Sequence, residues 1–312
     1  MSALPFGPYD PARDAPQPGS VPVTALVLTK DEEPNIARCL ASLAWCDQIL
    51  VIDSGSSDGT VPLASAAGAE VVEQPWLGFA GQREFALRHP AVRNDWVYFV
   101  DADEWVSAAL AREVGDAVAQ ESLVAYAHRL RLVFLGRWIR HCGWYGGSWV
   151  VRLGRRDALS YDVSTPLGER AIVEGDVGRL RCDIVDEDRK GLAAWLRKHV
   201  SYAEIEAVRR SAVEARLRVR WARWRRGERA GRSAGRSFAK DVALPALPAP
   251  WLWMFVYMYV IRAGWRDGRQ GMVFCLLHAW FQLVVELVGR ERPSQSSLDP
   301  SEKVTRGGAS IP

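Results

Sequence analysis

Apolar and polar positions alternate along the first third of the chain in a way that spells out strands and helices in turn. "VTALVLT", from Val23, is a continuous apolar and β-branched run, the mark of a strand covered on both faces. "DEEPNIARCLASLAWC" follows, with Pro34 suited to a first helical turn and Ile36, Leu40 and Leu43 on one stripe. "QILVIDSGSSDGT" predicts a second buried strand that ends at Asp53 and opens into a Gly/Ser loop. "VPLASAAGA" reads as a short helix, "EVVEQ" as a short strand, "GFAGQREFALRHP" as another helix and "DWVYFVDAD" as a fourth strand. Strand–helix alternation predicts an α/β fold, a mostly parallel sheet with helices on both faces. Ligands of such sheets bind beyond the carboxyl ends of the strands. Asp53 and Asp101 both stand at such ends.

After Ser107 the pattern weakens. "AYAHRLRLVFLGRWIR" and "GGSWVVRLGRR" read as longer strands flanking the glycine-rich "CGWYGG". "LAAWLRKHVSYAEIEAVRR" predicts a helix with Leu192, Trp195, Leu196 and His199 on one face. Two apolar stretches come later. Trp251 to Ile261 would span ~17 Å as a helix and Met272 to Leu287 ~24 Å. Both fall short of a bilayer core of about 30 Å. The expectation is therefore helices lying in or dipping into a membrane surface, with a tight helical hairpin through the membrane as the alternative.

Composition narrows this picture in three places. The five cysteines are scattered, with no CxxC pair, which favours a reducing cytoplasm over a disulfide framework or a zinc site. Residues 1–21 carry several prolines and no apolar signal-peptide core, so they read as a disordered leader. The net charge of +3 conceals a concentration: Arg209 to Lys240 holds twelve Lys or Arg against two Glu. Interleaved Trp221 and Trp224 would suit nucleic acid or an anionic leaflet. The neighbouring Trp-rich apolar helices favour the membrane surface, and no nucleic acid is expected as a partner.

The chemistry concentrates in "VYFVDADEWVS", where a buried strand runs into Asp101, Asp103 and Glu104 with no basic residue among them. Alternate residues of a strand share a face, so Asp101 and Asp103 can point together while Ala102 points away. Two bare carboxylates ~5 Å apart repel by about 3 kcal/mol at an effective dielectric of 20. A distant Arg could offset this; a divalent cation that prefers oxygen, Mg²⁺ or Mn²⁺, would do so more directly and complete its shell with water and phosphate.

The segments "ALVLTKDEEPNIARCLASL", "ILVIDSGSSDGT", "GFAGQREFAL" and "WVYFVDADEWVS" resemble the nucleotide-sugar domain of glycosyltransferase family 2, and within it the bacterial lipopolysaccharide core enzymes. The resemblance continues through "FLGRWIRHCGWYGGSWVVRLGRRD" and "MYVIRAGWRDGRQGMVF". It implies a GT-A fold, an inverting transferase and a UDP-type donor. By position it puts Asp53 on the base, Asp101 near the ribose and Asp103 on the metal. Thr29, Glu32 and Ala102 join the donor site, and Arg83 stands beside the donor phosphates. Departures from the family pattern are Glu84 for Asn, Gly168 for a His, and Asp186 for a second His that an oxygen ligand can replace.

Inverting transfer to a hydroxyl needs a base. Glu169 is the first choice, with Asp186 and Asp188 behind it. The implied organisation is a leader over 1–21, a GT-A domain over 22–191 (donor half 22–106, acceptor half 107–191), a helix and Arg-rich segment over 192–240, membrane-associated helices over 241–289 and a disordered tail over 290–312. The implied partners are a nucleotide sugar and a lipid-linked saccharide, at the cytoplasmic side of a bacterial inner membrane. Transfer to polyprenyl phosphate, a haloacid-dehalogenase-type phosphatase (which "DADEW" fits poorly) and a non-catalytic membrane scaffold stay open as alternatives.

Overall fold

The computed structural model describes Pro18 and residues 21–120, 123–145, 149–163, 170–225 and 249–291. Its first part follows the predicted alternation: β1 (Val21–Thr29), α1 (Glu33–Ser42), β2 (Cys46–Asp53), α2 (Thr60–Ala66), β3 (Glu70–Glu73), α3 (Phe79–Arg88) and β4 (Trp96–Asp101). A two-residue strand β5 (Glu104–Trp105) and α4 (Ala108–Val118) come next. Ser107 caps α4 by accepting a hydrogen bond from the Leu110 amide. Then come β6 (Ala125–His128), β7 (Leu130–Phe134), β8 (Arg137–Trp138), β9 (Val150–Arg155), β10 (Leu159–Tyr161), β11 (Ala171–Val173), β12 (Val177–Arg179) and β13 (Ile184–Asp186). The long strand expected around residues 125–140 is thus three short ones.

The main sheet has the order β12–β6–β9–β4–β1–β2–β3. β1 pairs in parallel with both β2 and β4, and β2 with β3, whereas β9 runs antiparallel between β4 and β6. Alternation along β1 divides the core. Val23, Ala25 and Val27 face α1 and α4 with Ile36, Leu40, Tyr98 and Leu110. Leu26 faces α3 with Leu50, Ile52, Leu87 and Phe99. Each large apolar side chain so buried contributes about 1.5–3 kcal/mol, which is why the central strands read as unbroken apolar runs.

A second sheet, β5–β13–β7–β8, continues outward from the acidic turn that follows β4.

The chain divides into two compact units, one of residues 1–193 with 258–274 and the other of 194–257 with 275–312. This differs from the boundaries expected from hydropathy, because part of the apolar C-terminal region belongs with the α/β unit. What binds it there is Asp267, 2% exposed, whose carboxylate accepts hydrogen bonds from the His141 amide and ring Nδ1, both at 2.8 Å. A Cβ added at Gly271 would lie 2.3 Å from the Gly264 carbonyl oxygen, so the two backbones touch.

In the second unit, α5 (Gly191–Arg225) extends well into the Arg-rich segment, where the sequence pattern had suggested a shorter helix. Trp195 and His199, expected on one helix face, stack with their ring centroids 3.4 Å apart. Residues 226–248, which hold the remainder of the Arg-rich segment, lie outside the described residues. α6 (Pro250–Val256) runs into a π-helical turn (Tyr257–Ile261), and a 3₁₀ turn (Gly264–Asp267) leads into α7 (Gly268–Glu291). α7 corrects the length expected for the second apolar stretch. Its 24 residues reach ~36 Å, and the continuous helical stretch Gly264–Glu291 is long and apolar enough to cross a membrane.

Candidate functional site

Register places the site. β1 and β2 end level with Thr29 opposite Asp53, and β1 and β4 with Leu28 opposite Asp101. The carboxyl ends of three parallel strands therefore bring Thr29, Asp53 and Asp101 to one edge. The two acidic loops that the sequence left forty-eight residues apart lie on either side of β1.

Asp53 is 1% exposed and its two oxygens are fully engaged. One accepts the Thr29 hydroxyl and the Ser56 hydroxyl, the other the amides of Gly55 and Ser56 at 2.9 and 2.7 Å. Gly55 adopts φ +83°, the left-handed turn that lets both amides aim back at the carboxylate. Both Thr29 and Asp53 thus shape the Gly/Ser loop. Gln82 supports the same loop by donating to the Ser54 hydroxyl at 2.8 Å.

The acidic knot is offset by arginine. Arg152, on β9, donates to Asp101 at 2.6 Å and to Glu104 at 2.8 Å. Arg83, on α3, donates to Asp101 at 3.2 Å. Asp101 thus has arginine partners of its own, one of them Arg83, the residue that the resemblance sets beside the donor phosphates. Glu104 is 1% exposed, and its other oxygen accepts the Asp101 amide at 2.8 Å, folding the turn back on itself. Burial raises the Glu104 pKa to about 8 even with Arg152 beside it. Beneath lies His128, 0% exposed, its Nε2 3.2 Å from the Tyr98 hydroxyl. Burial, with the nearby Arg152 charge, lowers its pKa to about 3, so the ring is neutral.

Ala102 packs its methyl group into the core at 3% exposure, which leaves only its backbone for a ligand. Asp103 lies in the turn between β4 and β5. Glu32 is close enough that Asp103, after burial itself, raises its pKa, while Lys190 pairs with Glu32 and lowers it. Glu32 also accepts from Asn35 Nδ2 at 2.8 Å. Asp186, on β13, lies opposite Glu104 in the register, and the Glu187 amide donates to the Asp103 carbonyl at 3.0 Å. β13 therefore carries Asp186 to the strand next to Asp103. Asp188 is engaged by Asn35 Nδ2 at 3.0 Å and by the Lys190 amide at 2.8 Å. Gly168 and Glu169 lie outside the described residues. Among the described residues no group of three or more His, Cys, Asp or Glu is placed to hold a metal ion.

Glu84, expected as a departure, bridges Arg88 at 2.9 Å and the Tyr161 amide at 2.8 Å. His141 is held by Asp267, and His278 sits 6.1 Å from the Trp195 ring in the second unit.

Residues 24–149 match the family model "Glycosyl transferase family 2", so this segment carries a domain of that family. Its boundaries enclose Thr29, Glu32, Asp53, Arg83, Asp101, Ala102, Asp103 and Glu104, whereas Arg152, Asp186 and Lys190 lie beyond them. Among curated proteins, an "Uncharacterized glycosyltransferase" of Rickettsia bellii is 37% identical over 117 residues, 37% of this chain and 39% of that protein. The "Lipopolysaccharide core biosynthesis glycosyltransferase LpsC" of Rhizobium meliloti is 32% identical over 174 residues, 52% of this chain and 61% of that protein. The chain thus spans about two-fifths of the length of the first of these relatives and under two-thirds of the second. Among solved structures, glucosyl-3-phosphoglycerate synthase of Mycobacterium tuberculosis, in complex with Mn²⁺, UDP and glucosyl-3-phosphoglycerate, superposes with TM-score 0.34 at 22% identity, over 47% of this chain and 59% of that one. S. aureus TarS 1–349 gives TM-score 0.45 at 13% identity, over 86% and 89%.

Proposed function

We propose that the chain is an inverting glycosyltransferase of GT-A type that moves a sugar from a UDP-type nucleotide donor to a lipid-linked saccharide of the cell envelope. The reading is carried by one coincidence. The segment that matches the glycosyltransferase domain is the one that ends three parallel strands in Thr29, Asp53 and Asp101, with Glu32 and Asp103 in the adjoining loops. That edge is where an open α/β sheet takes its ligand.

A divalent cation fits the donor set. Asp103 and Asp186 are oxygen donors on adjoining segments, and they would hold it. Two carboxylates leave most of the shell to water and diphosphate oxygens, which is the habit of Mg²⁺ and Mn²⁺. Such an ion, when bound, supplies positive charge against the leaving diphosphate. The rest falls to the chain. Glu104, Arg152 and Arg83 fix the turn from which Asp103 projects, and the Asp53-held loop offers its backbone to the nucleoside. Glu169 or Asp186 would take the proton from the acceptor hydroxyl.

The C-terminal helices would seat the enzyme on the cytoplasmic face of a bilayer. Supporting this, the apolar 18-residue window within Gly264–Glu291 has mean hydropathy 1.8 with only 28% of it buried, and Trp253, Tyr257, Ile261 and Trp265 are all exposed.

The test is thermal stabilisation by UDP-glucose, GDP-mannose and ADP-glucose with Mn²⁺ or Mg²⁺. A ligand at a hundred times its Kd adds about 2.7 kcal/mol. We expect a metal-dependent shift with a UDP-sugar that Asp103→Ala abolishes. No shift with any of the three donors, in either metal, refutes the reading. Glu169→Gln and Asp186→Asn then divide the remaining roles. The residue acting as base loses turnover but keeps the metal-dependent shift; a metal ligand loses both.

A further inference from the structure

Outside the donor edge, the second sheet carries a surface that the donor site does not use. Lateral neighbours in a sheet point to the same side, so Trp105, Val185 and Arg131 share one face across β5, β13 and β7. Val133 and its partner Trp138 extend that face to β8. It begins two residues past Asp103 and runs ~10 Å outward to Arg131 at the usual strand spacing.

Guanidinium groups sit over aromatic rings along this region. Arg131 sits 4.5 Å from the Trp138 ring centroid, with Arg140 at 5.3 Å on the same ring. Arg129 covers Tyr145 at 4.8 Å and Trp149 at 5.3 Å, and Arg179 covers Trp149 at 4.9 Å. Of these four arginines, Arg129 and Arg131 share one carboxylate, Asp183, which is 6% exposed. Arg140 and Arg179 are exposed and have no carboxylate partner among the described residues. Core packing does not require this excess charge. A stacked guanidinium keeps its edge donors available for a bidentate carboxylate or phosphate, while ring edges and faces suit the C–H surface of a sugar.

We propose that this arginine–aromatic face is the acceptor subsite and that the acceptor is an anionic saccharide, bearing carboxylate or phosphate groups within one or two sugar units of the hydroxyl that is glycosylated. This rests on the glycosyltransferase reading and adds to it the charge class of the acceptor.

The probes are trigalacturonate, maltotriose and inorganic phosphate, titrated into the full chain. The variant is Arg140→Gln with Arg179→Gln, two exposed positions whose loss leaves no buried carboxylate unpaired. Trigalacturonate should bind at least tenfold more tightly than maltotriose, and at least tenfold more tightly than phosphate. The double variant should lose at least tenfold for trigalacturonate while its UDP-glucose thermal shift stays at the wild-type value. Equal binding of the two trisaccharides overturns the proposal, as does phosphate matching trigalacturonate, since the rings would then contribute nothing. It is also overturned if the double variant loses binding to phosphatidylglycerol vesicles but not to trigalacturonate, because the face would then read lipid. If the UDP-sugar shift is present and the saccharide preference absent, only this inference falls; if the shift is absent as well, the transferase reading falls with it.

Discussion

Replacing Arg152 with Met should unbalance the turn that presents Asp103. The change keeps volume but removes the cation shared by Asp101 and Glu104. Asp101 retains Arg83, whereas Glu104, 1% exposed, has Arg152 as its cation at 2.8 Å. Where Glu104 is ionised, at and above pH ~8, removing the other partner of this buried ion pair costs about 3–5 kcal/mol, because the remaining charge stays desolvated. For a domain of this size that is a fall in Tm of about 6–20 °C. The loss should depend on pH. Glu104 has a folded pKa of about 8, above its ordinary 4.5, so the folded state holds the extra proton between those values. Its contribution to stability is present below pH ~4.5 and is lost as pH rises towards ~8. Without Arg152 the decline should be steeper, so the variant's deficit should be smaller at pH 5 than at pH 8. Urea and thermal unfolding at both pH values measure this, and the double variant Arg152→Met with Glu104→Gln supplies the control. Removing both charges should restore at least half of the lost stability. A single variant within 1 kcal/mol of wild type, or a double variant no better than the single, would refute the assignment of Arg152 as the counter-charge of the turn.

Two further perturbations read other parts of the same unit. His128→Phe should cost about 1–3 kcal/mol at neutral pH by leaving the Tyr98 hydroxyl buried without a partner. The deficit should shrink as pH falls from ~6.5 towards ~3, because His128, with its lowered folded pKa, takes up a proton only on unfolding in that window; unfolding curves at pH 7 and pH 5 check both signs. Gly271→Ala drives a methyl group to 2.3 Å from the Gly264 carbonyl oxygen and 2.6 Å from Asp267 Cβ. It should destabilise by at least about 1–3 kcal/mol and lower amide-exchange protection at His141, whose N–H donates to Asp267.

The donor half was legible because its physics is local. β1, β2 and β4 are covered on both faces, so each reads as an apolar run, and β2 and β4 end where that run meets an Asp. The arrangement of charge at that edge was not legible. Arg152 sits within the strand "VVRLGR", where an arginine flanked by buried apolar residues should have signalled a buried acid partner. That partner lies forty-eight residues away on another strand, and no short-range pattern points to it. Glu104 was noticed only as part of a negative cluster, although its burial is what closes the turn. The second half resisted for a different reason. Residues 125–138 form three strands in two sheets, and a change of sheet between His128 and Leu130 leaves no turn signal in "AHRLRL". Asp267 sits between two apolar stretches, and its long-range bonds to His141 help tie that segment to the α/β unit, which no local pattern announces.

The Asp53 carboxylate, with its four donors, has a consequence for affinity. A loop of Gly and Ser would ordinarily surrender about 1–2 kcal/mol of backbone freedom per residue on closing around a ligand. Here that freedom has already been given up in folding, since Thr29, Gly55 and Ser56 lock the turn onto the end of β2. Under the proposed donor reading, a nucleoside arriving at this edge would meet a rigid rim, and little of its contact energy would be spent on ordering the protein.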